Sequence, residues 1–453
     1  MFKKIEIWLL YLIVFLGFLF AIGFGSLVRQ ELVGSIKLGW VSKSALKLAE
    51  IPMNTKKILI NISAHKVEDR FINMSGFVGT PNSKEKYLLL SRYDGDLKEG
   101  VVELVNLENF DVLHTWNPDI DAINKLVKQV DEFKYLHRDS NNQRANFNHP
   151  LLLQDGGLLF QSTNPLRKID ACSNLIFQNT HDKFHHSIEK DIDENIWTAS
   201  ILYPQTLPIE KVGRIISDDG GFRDDAIVKL SPNGKILFEK SVSQIFIDNN
   251  MEYLIFGQGT PFEDDPIHIN DIQPVNIDGE FWKKGDVFLS VAAQSMIILY
   301  RPSTNKILWK GVGQFSLQHD VDILDNHRIS VFNNRTVINF ENIKSVDAHN
   351  EVIIYDFKNN EYSSYLKDSL DENDVRTISQ GRSQILPNGD LFIEETDYGR
   401  TLYFNADGSL RWTHINRAEN ENVYGVAWSR ILYNQEDIQT VQKFLERRGT
   451  CNE

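Results

Sequence analysis

The chain has 453 residues, 42% of them hydrophobic and 24% charged, so it can bury a large core, and its composition excludes an intrinsically disordered protein. Its formal net charge of -14 would repel a polyphosphate backbone, and the sequence has no basic stripe with interleaved aromatic residues, so we expect no nucleic-acid partner. Two cysteines, Cys172 and Cys451, exclude a disulfide framework and a thiolate zinc site, and they leave open one disulfide or two free thiols.

The N-terminus predicts a membrane anchor. Residues 7–28 carry no charge, and this length is about what a helix needs to cross a bilayer. The apolar core of a cleaved signal peptide is usually only about 7–15 residues long, so an uncleaved anchor is favoured. Lys3 and Lys4 precede the span, which by the positive-inside rule leaves the N-terminus in the cytoplasm. We therefore expect a cytoplasmic stub and single-pass anchor at residues 1–30, with the later residues in the periplasm or another extracytoplasmic space.

Two shorter segments flank the main domain. Residues 31–65 mix polar and apolar side chains and predict a helical stalk or linker. Residues 436–453 predict a helical tail, because apolar residues recur on one helical face, at Ile438, Val441, Phe444 and Leu445.

Residues 66–435 predict an all-β domain, because short apolar runs alternate with turn clusters. One unit of strand, polar turn and strand recurs six times, at Val102–Trp116, Leu166–Phe177, Ile227–Phe238, Ile297–Trp309, Val352–Tyr365 and Leu402–Trp412. The turns use Asn, Gly, Pro and Asp, which tolerate tight backbone geometry. Six such hairpins, about 50 to 70 residues apart, predict a six-bladed β-propeller.

A second repeat places histidines at one offset. His149, His186 and His319 each stand ten positions before an apolar strand residue, at Leu159, Ile196 and Ile329. In a fourth copy Gly381 takes the place of the histidine, and Arg382 follows it. These segments alternate with the hairpins and so supply the inner strands of the propeller, whose leading ends open onto one face. We expect the three histidines, together with His268, to meet at one mouth of the channel, where convergent imidazoles indicate chemistry.

The acidic stretches at residues 218–225 and 263–265 offer the oxygen ligands that calcium prefers. Loops of this composition are usually only solvated, so we predict no metal site.

Several of these segments together resemble the bacterial arylsulfotransferase (aryl-sulfate sulfotransferase) family. His268-Ile269-Asn270 is similar to its His-x-Asn element, and Gln318-His319-Asp320 to its Gln-His-Asp element. Phe332-Asn333-Asn334 is similar to its downstream Phe-Asp-Asn element, and residues 184–188 and 383–389 match further segments. The resemblance covers roughly residues 70–435 in the correct order.

The resemblance implies a six-bladed propeller that moves a sulfuryl group from an aryl sulfate to a phenol without a nucleotide cofactor. By the same resemblance His319 is the nucleophile and forms a sulfohistidine, and His268 is the general acid and base. His186 stabilises the sulfuryl oxygens, with His185 as the alternative inward-facing ring, and Asn270 donates a hydrogen bond to them. Asn334 is a further substrate-binding candidate.

The sequence departs from the family pattern at one position. The family carries an arginine on the strand after the His-x-Asn element, where this chain has Ala292. A guanidinium has a fork of donors that alanine lacks, so we expect Arg382 to replace it from another blade, or Gln294 to donate without charge. The departure leaves two alternatives to a sulfotransferase: a propeller that binds an anionic ligand or a partner protein without reacting, and a hydrolase that passes the sulfuryl group to water.

Overall fold

The computed structural model describes residues 6–32, 38–59, 65–84, 86–128, 130–161, 164–212, 222–257, 264–341 and 343–447. The chain divides into two compact units, one formed by residues 1–62 and 207–223 and the other by residues 63–206 and 224–453. Cys172 is disulfide-bonded, which decides between the two cysteine states that the sequence allows. Cys451 lies outside the described residues, as do residues 218–221 and Glu263 of the acidic stretches.

The described helices, in chain order, are α1 (Ile7–Leu32), α2 (Trp40–Ala49), α3 (Ile51–Leu59), α4 (Ile120–Asn124), α5 (Leu136–Asp139), α6 (Ile209–Val212), α7 (Val242–Asp248), α8 (Tyr253–Phe256), α9 (Lys367–Glu372) and α10 (Gln435–Arg447). The strands are β1 (Gly76–Gly79), β2 (Tyr87–Asp94), β3 (Glu99–Asn106), β4 (Val112–Trp116), β5 (Asn148–Leu152), β6 (Leu158–Gln161), β7 (Asn164–Ile169), β8 (Leu175–Lys190), β9 (Ile196–Ile201), β10 (Asp225–Leu230), β11 (Ile236–Ser241), β12 (Ile269–Pro274), β13 (Val287–Val291), β14 (Met296–Arg301), β15 (Lys306–Val312), β16 (His319–Ile323), β17 (Arg328–Asn333), β18 (Thr336–Ile338), β19 (Lys344–Val346), β20 (Glu351–Asp356), β21 (Glu361–Tyr365), β22 (Arg382–Ile385), β23 (Leu391–Glu395), β24 (Arg400–Phe404), β25 (Leu410–Ile415) and β26 (Arg430–Leu432).

The smaller unit contains α1, α2, α3 and α6. Helix α1 has 26 residues, none of them buried, and it is long and apolar enough to span a membrane. At 1.5 Å per residue it extends about 39 Å, against about 30 Å for the hydrocarbon core of a bilayer. A signal sequence near the N-terminus would pass the same test. On α2, Ser42 is buried and donates its hydroxyl hydrogen to Glu31 Oε2 of α1 at 3.1 Å.

The larger unit is an all-β, propeller-like arrangement of antiparallel sheets. Four of its sheets have the size of propeller blades, with strand orders β26-β2-β3-β4, β12-β13-β14-β15, β16-β17-β20-β21 and β1-β25-β24-β23-β22. A fifth sheet has seven strands, in the order β11-β10-β9-β8-β7-β6-β5. All six hairpins predicted from the sequence are antiparallel strand pairs, namely β3 with β4, β7 with β8, β10 with β11, β14 with β15, β20 with β21 and β24 with β25.

Strand β8 explains why the sequence-based count of six separate blades is not confirmed. Its first part pairs with β7, and its second part, Lys183 to Lys190, pairs with β9. One uninterrupted strand of 16 residues therefore joins what the sequence predicts as the outer strand of one blade and the inner strand of the next. His186 lies within this strand and not at its start.

The two ends of the larger unit are fastened to each other. The C-terminal strand β26 pairs with β2, with Leu432 opposite Tyr87, and β1 pairs with β25, with Gly79 opposite Trp412. Helix α10 then packs on the same region, where the Phe444 ring stacks on Trp116 with centroids 5.3 Å apart. Both pairings join residues that are more than 300 positions apart, so they hold the ring of sheets closed.

Buried side chains also join neighbouring sheets to one another. Each is an acceptor on one strand that takes a hydrogen bond from a backbone N–H at or near the start of the innermost strand of the next sheet. The pairs are Asp225 Oδ2 with Ile269 N at 2.7 Å, Asp271 Oδ2 with Val321 N at 2.8 Å, Asp320 Oδ2 with Ser383 N at 2.8 Å, and Glu394 with Trp428 N at 2.5 Å and Ser429 N at 2.6 Å. A backbone N–H at the innermost edge of a sheet has no ladder partner, so these carboxylates satisfy groups that would otherwise be buried and unpaired.

Replacing Glu394 with leucine tests this arrangement. The change removes the acceptor for two buried backbone N–H groups, so we expect the free energy of unfolding to fall by about 3 kcal/mol. Denaturant unfolding at pH 7 measures it. The control Glu361→Leu changes an exposed residue of β21 and should alter stability by no more than about 0.5 kcal/mol. Equal losses in the two variants would contradict a specific role for Glu394.

Candidate active site

Three histidines from different sheets meet at one face of the larger unit. The ring centroids of His186 and His268 are 5.2 Å apart, and those of His186 and His319 are 6.3 Å apart. His149 lies against Trp428 with centroids 3.4 Å apart, and the same indole lies 6.0 Å from the His319 ring. The convergence that the repeated offset predicts is therefore present, and Trp428 links the fourth histidine to the other three.

A β-bulge lies at or next to each of the repeated histidines. Strand pairing is interrupted at His149 and at His186, whereas His319 pairs with Phe332 and the interruption falls on Asp320. Pairing resumes with Leu151 opposite Leu159, Ile188 opposite Thr198 and Val321 opposite Val331. The backbones of His149 and His186 are left-handed, with φ of 49° and 58°. This conformation is uncommon for a residue with a Cβ and is the usual place for glycine, which explains why Gly381 replaces the histidine in the fourth copy.

His319 is held in one tautomer. Its Nδ1 lies 2.8 Å from Asn334 Oδ1, while Asn334 Nδ2 donates to the backbone oxygens of Thr377 and Gln380. Because the amide oxygen of Asn334 is an acceptor, Nδ1 of His319 carries the hydrogen and Nε2 carries the lone pair. That lone pair accepts a hydrogen bond from Gln380 N at 3.1 Å. Asn334 therefore orients His319.

Burial keeps His319 neutral. The side chain is 5% exposed, and burial lowers the pKa of its imidazole from 6.5 to about 3. The carbonyl oxygens of Asn334 and Leu317 offset only part of this effect. Burial also lowers the pKa of His149 well below its usual range, with the charges of Arg382 and Arg430 adding to the effect. A neutral imidazole is the form that can act as a nucleophile.

His268 stands directly before β12 and is paired with a carboxylate. Its Nδ1 lies 2.6 Å from Asp265 Oδ2, so this carboxylate orients the ring. Gln294 donates from Nε2 to the carbonyl oxygens of Leu254 and Pro266, at 3.2 and 2.7 Å. The Gln294 amide therefore holds the loop that carries His268, and its hydrogens do not face a substrate.

His186, and not His185, is the ring that faces the other histidines. Nδ1 of His185 lies 2.6 Å from Nδ1 of His186, and Nε2 of His185 lies 3.4 Å from Asp225 Oδ1. His185 is buried behind His186. The two rings and the carboxylate form a chain that leads from Asp225 to the mouth.

Asn270 is completely buried in the bulge of β12. Its Nδ2 donates to the backbone oxygen of Gln318 at 3.0 Å, so this amide supports the residue before His319. Its Oδ1 has no hydrogen-bond partner among the described residues.

Ala292 follows β13 and is 2% exposed, and its N–H donates to the backbone oxygen of His268 at 3.0 Å. Arg382 lies on a different sheet, with Nη2 3.5 Å from Asp320 Oδ1. Nε and Nη1 of Arg382 are buried and have no hydrogen-bond partner among the described residues. Burial lowers the pKa of this guanidinium, but the nearby carboxylates, with Asp320 first and Asp322 next, raise it by more.

Buried carboxylates surround Arg382. Burial raises the pKa of Asp271 to about 8, with the charges of Asp320 and Glu189 adding to the effect. Burial also raises the pKa of Asp320 and, more strongly, that of Asp322. The protonated form of Asp271 is therefore favoured at neutral pH, while Asp320 is the carboxylate that pairs with Arg382.

Four groups of this site are not predicted from the sequence: the carboxylates of Asp265 and Asp225, the backbone N–H of Gln380 and the ring of Trp428. Asp265 gives the one usable signal, since it stands three residues before His268 in the motif segment, although the sequence analysis interprets it as part of a solvated acidic loop. Asp225 ends the other acidic stretch, which the sequence analysis also interprets as solvated, and the N–H of Gln380 and the ring of Trp428 have no motif of their own.

Comparisons with known proteins give one strong match. A family model described as Arylsulfotransferase (ASST) matches residues 149–417, which is more than half of the 453-residue chain. The search of curated proteins gave no match.

Solved structures with similar folds have low sequence identity. They include a protein of unknown function from Bacteroides caccae, with a TM-score of 0.44, 12% identity and coverage of 76% of this chain and 98% of that chain. Another is a streptogramin B lyase, with a TM-score of 0.38, 10% identity and coverage of 81% of this chain and 97% of that chain. A third is the Pan2 WD40 domain of Neurospora crassa, with a TM-score of 0.41, 10% identity and coverage of 80% of this chain and 97% of that chain. At these values the likeness carries no argument about function.

The lowered pKa of His319 predicts a pH-dependent stability. In the unfolded chain the imidazole protonates below about pH 6.5, whereas in the folded chain it stays neutral down to about pH 3. Between these pH values the unfolded state binds one more proton, so the free energy of unfolding decreases as the pH is lowered. At pH 5 the loss is about 2 kcal/mol from this group. We expect the free energy of unfolding of the wild type to drop by about 2 kcal/mol more than that of His319→Asn between pH 8 and pH 5.

Denaturant unfolding at the two pH values measures this difference. Thr336→Val, which changes a buried neighbour without an ionisable group, should retain the wild-type pH dependence. Parallel pH profiles for the wild type and His319→Asn would show that the imidazole is not held neutral by the fold.

Proposed function

The chain belongs to the arylsulfotransferase family, and on this premise we propose that it transfers a sulfuryl group from an aryl sulfate to a phenolic acceptor through a sulfohistidine on His319. No nucleotide cofactor takes part. The main support is the geometry of His319, whose Nδ1 is fixed by Asn334 and whose neutral Nε2 carries a lone pair that accepts the N–H of Gln380, while its ring lies 6.3 Å from that of His186.

In the first half-reaction, His319 Nε2 attacks the sulfur while the bond from sulfur to the aryl oxygen breaks. The departing phenolate takes a proton from His268 Nε2, and Asp265 stabilises the imidazolium form that donates it. In the second, His268 accepts the proton of the incoming phenol, whose oxygen attacks the sulfur as the bond to Nε2 breaks. His319 and His268 then return to their starting forms, and splitting the transfer into two steps means that the two phenols never have to be bound together.

The negative charge of the sulfuryl oxygens needs donors that are already in place. His186 is proposed to supply one, because its ring lies 5.2 Å from that of His268 and 6.3 Å from that of His319, and its Nδ1 is held by His185. The backbone N–H of Gln380 supplies another, since it must leave Nε2 of His319 when that atom forms a bond to sulfur. Arg382 is proposed to compensate for Ala292 through Nε and Nη1, which have no hydrogen-bond partner among the described residues.

Four of the predicted substrate-binding residues are better supported as positioning residues. Asn334 sets the tautomer of His319, and Asn270 supports the residue before it. Gln294 holds the loop of His268, and His185 holds His186.

The wider architecture is also part of the proposal. We interpret the seven-stranded sheet as two blades that share the long strand β8, which gives six blades over residues 66–435. Residues 1–30 would anchor the chain with its N-terminus in the cytoplasm, residues 31–65 would form the stalk, residues 436–453 would form the tail, and the propeller would lie in the periplasm or another extracytoplasmic space. The length and apolar character of α1 support the anchor.

Mass spectrometry of the intact chain tests the covalent intermediate. After brief exposure of the full-length protein to 4-nitrophenyl sulfate, we expect an adduct of one sulfuryl group that maps to His319 and disappears when phenol is added. His319→Asn should form no adduct and lose about 10³-fold or more in release of nitrophenol. His137→Asn removes an exposed imidazole as a control and should behave as the wild type.

Other outcomes separate the alternatives. An adduct that decays equally fast with and without phenol would indicate a hydrolase. No adduct and no phenol release across a panel of aryl sulfates would indicate a binding propeller, for which Ala292 is the supporting feature.

The proton-transfer role of His268 predicts a dependence on the leaving group. Phenyl sulfate releases a basic phenolate that needs a proton, whereas 4-nitrophenyl sulfate releases a stable anion. We expect His268→Asn to slow adduct formation about 10²-fold or more with phenyl sulfate and less than about tenfold with 4-nitrophenyl sulfate. Single-turnover rates with both donors measure this, and equal slowing would show that His268 acts only by position.

A further inference from the structure

A second group of ionisable side chains lies apart from the histidine mouth. His181 and Asp182 are in the middle of β8, and Glu239 is in β11, the edge strand of the same seven-stranded sheet. One ligand-type atom from each residue lies within 4.8 Å of the other two. His181 Nε2 is 3.5 Å from Glu239 Oε2 and 3.9 Å from Asp182 Oδ2.

The two carboxylates present a physical problem. Asp182 is only 3% exposed, and its side chain is in hydrogen-bonding contact with that of Glu239. Two carboxylates in contact repel each other unless a proton or a cation lies between them. Glu132 adds a third negative charge nearby, and Glu239 Oε1 is buried without a hydrogen-bond partner among the described residues. The only other side-chain group that contacts the Asp182 carboxylate in the described hydrogen bonds is Ser200 Oγ, at 3.5 Å.

We propose that His181, Asp182 and Glu239 form a site for a divalent cation of the zinc class that ties β8 to β11. Ligand atoms bound to one tetrahedral zinc at about 2.1 Å are about 3.4 Å apart, close to the separation of His181 Nε2 and Glu239 Oε2. An imidazole with two carboxylates suits zinc or manganese better than calcium, which takes oxygen ligands.

The local backbone supports a fixed site. His181 N donates to Asn179 Oδ1 at 2.8 Å, which fixes the backbone at His181. Asn179 Nδ2 in turn donates to the backbone oxygen of Gly234 at 2.9 Å, in the turn before β11. The two strands that carry the ligands are therefore already held together near the site. The exposed imidazole gives the cation a route from solvent, since His181 is 58% exposed.

Metal uptake by the full-length protein tests the proposal. After treatment with a chelator, the protein is equilibrated with Zn²⁺, Mn²⁺ or Ca²⁺ alone, and bound metal is measured by mass spectrometry and calorimetry. We expect one Zn²⁺ per chain and at least about tenfold weaker binding in Glu239→Gln and His181→Gln, with calcium bound least. Zinc should raise the thermal midpoint of the wild type and not that of these variants. Glu108→Gln, an exposed change of the same type in the turn between β3 and β4, should bind as the wild type.

The variants also distinguish this site from the histidine mouth. Zinc bound by His186, His268 and His319 would be lost in His268→Asn and unchanged in Glu239→Gln, which would overturn the proposal. Absence of zinc uptake would show that Asp182 and Glu239 share a proton instead, and would equally overturn it. His181→Gln changes an exposed side chain, so a loss of binding in that variant does not depend on the fold tolerating a buried substitution. The proposed metal site is independent of the proposed sulfuryl transfer. Neither the presence nor the absence of zinc uptake tests the sulfuryl transfer.

Discussion

The rest of the larger unit depends on hydrogen bonds from backbone N–H groups at the inner edge of each sheet to buried carboxylates of the preceding sheet. The innermost strand of a propeller blade has no neighbour on its inner side, so its N–H groups would be buried without partners. Asp271, Asp320 and Glu394 meet this need and at the same time fix the angular position of one sheet against the next. These contacts complement the strand pairing of β26 with β2, which closes the ring.

The same carboxylates determine the electrostatics beneath the histidine mouth. Burial raises the pKa values of Asp271 and Asp320, and Arg382 lies among them as a buried positive charge that pairs with Asp320. Asp271 and Asp320 each accept a backbone N–H, so the groups that join the sheets also set the charge around Arg382.

The histidines of the site differ in their surroundings, and this difference separates their proposed roles. His319 is buried, which favours the neutral ring, and its hydrogen bond to the Asn334 amide offsets only part of this effect. His268 has a carboxylate at 2.6 Å, which favours the protonated ring of a general acid. His186 has a second imidazole and then Asp225 behind it. The three rings therefore have different surroundings, and burial together with the neighbour of each Nδ1 distinguishes the roles proposed for them.

The sequence by itself determined the features that repeat or that depend on a short segment. The apolar N-terminal helix, the six hairpins and the shared offset of His149, His186 and His319 follow from local patterns, since strand and turn preferences act over a few residues. The motifs around His268 and His319 also identified the family. Strand β8 is the local feature that the pattern missed, because a continuous strand and two strands joined by a polar turn have similar compositions.

Only the tertiary structure decided which atoms meet. Side-chain directions that no spacing encodes decide that His186 and not His185 faces the other histidines and that Asp265 pairs with His268. They also decide which atoms Asn334 and Gln294 hydrogen-bond. His319 receives the N–H of Gln380 from 61 positions away, and this contact exists only because the sheets close into a ring. Sequence patterns describe the period of a strand or helix, whereas contacts between sheets are set by packing of the whole unit. For this physical reason the residue types of the mouth could be anticipated from the sequence, and the geometry of the mouth could not.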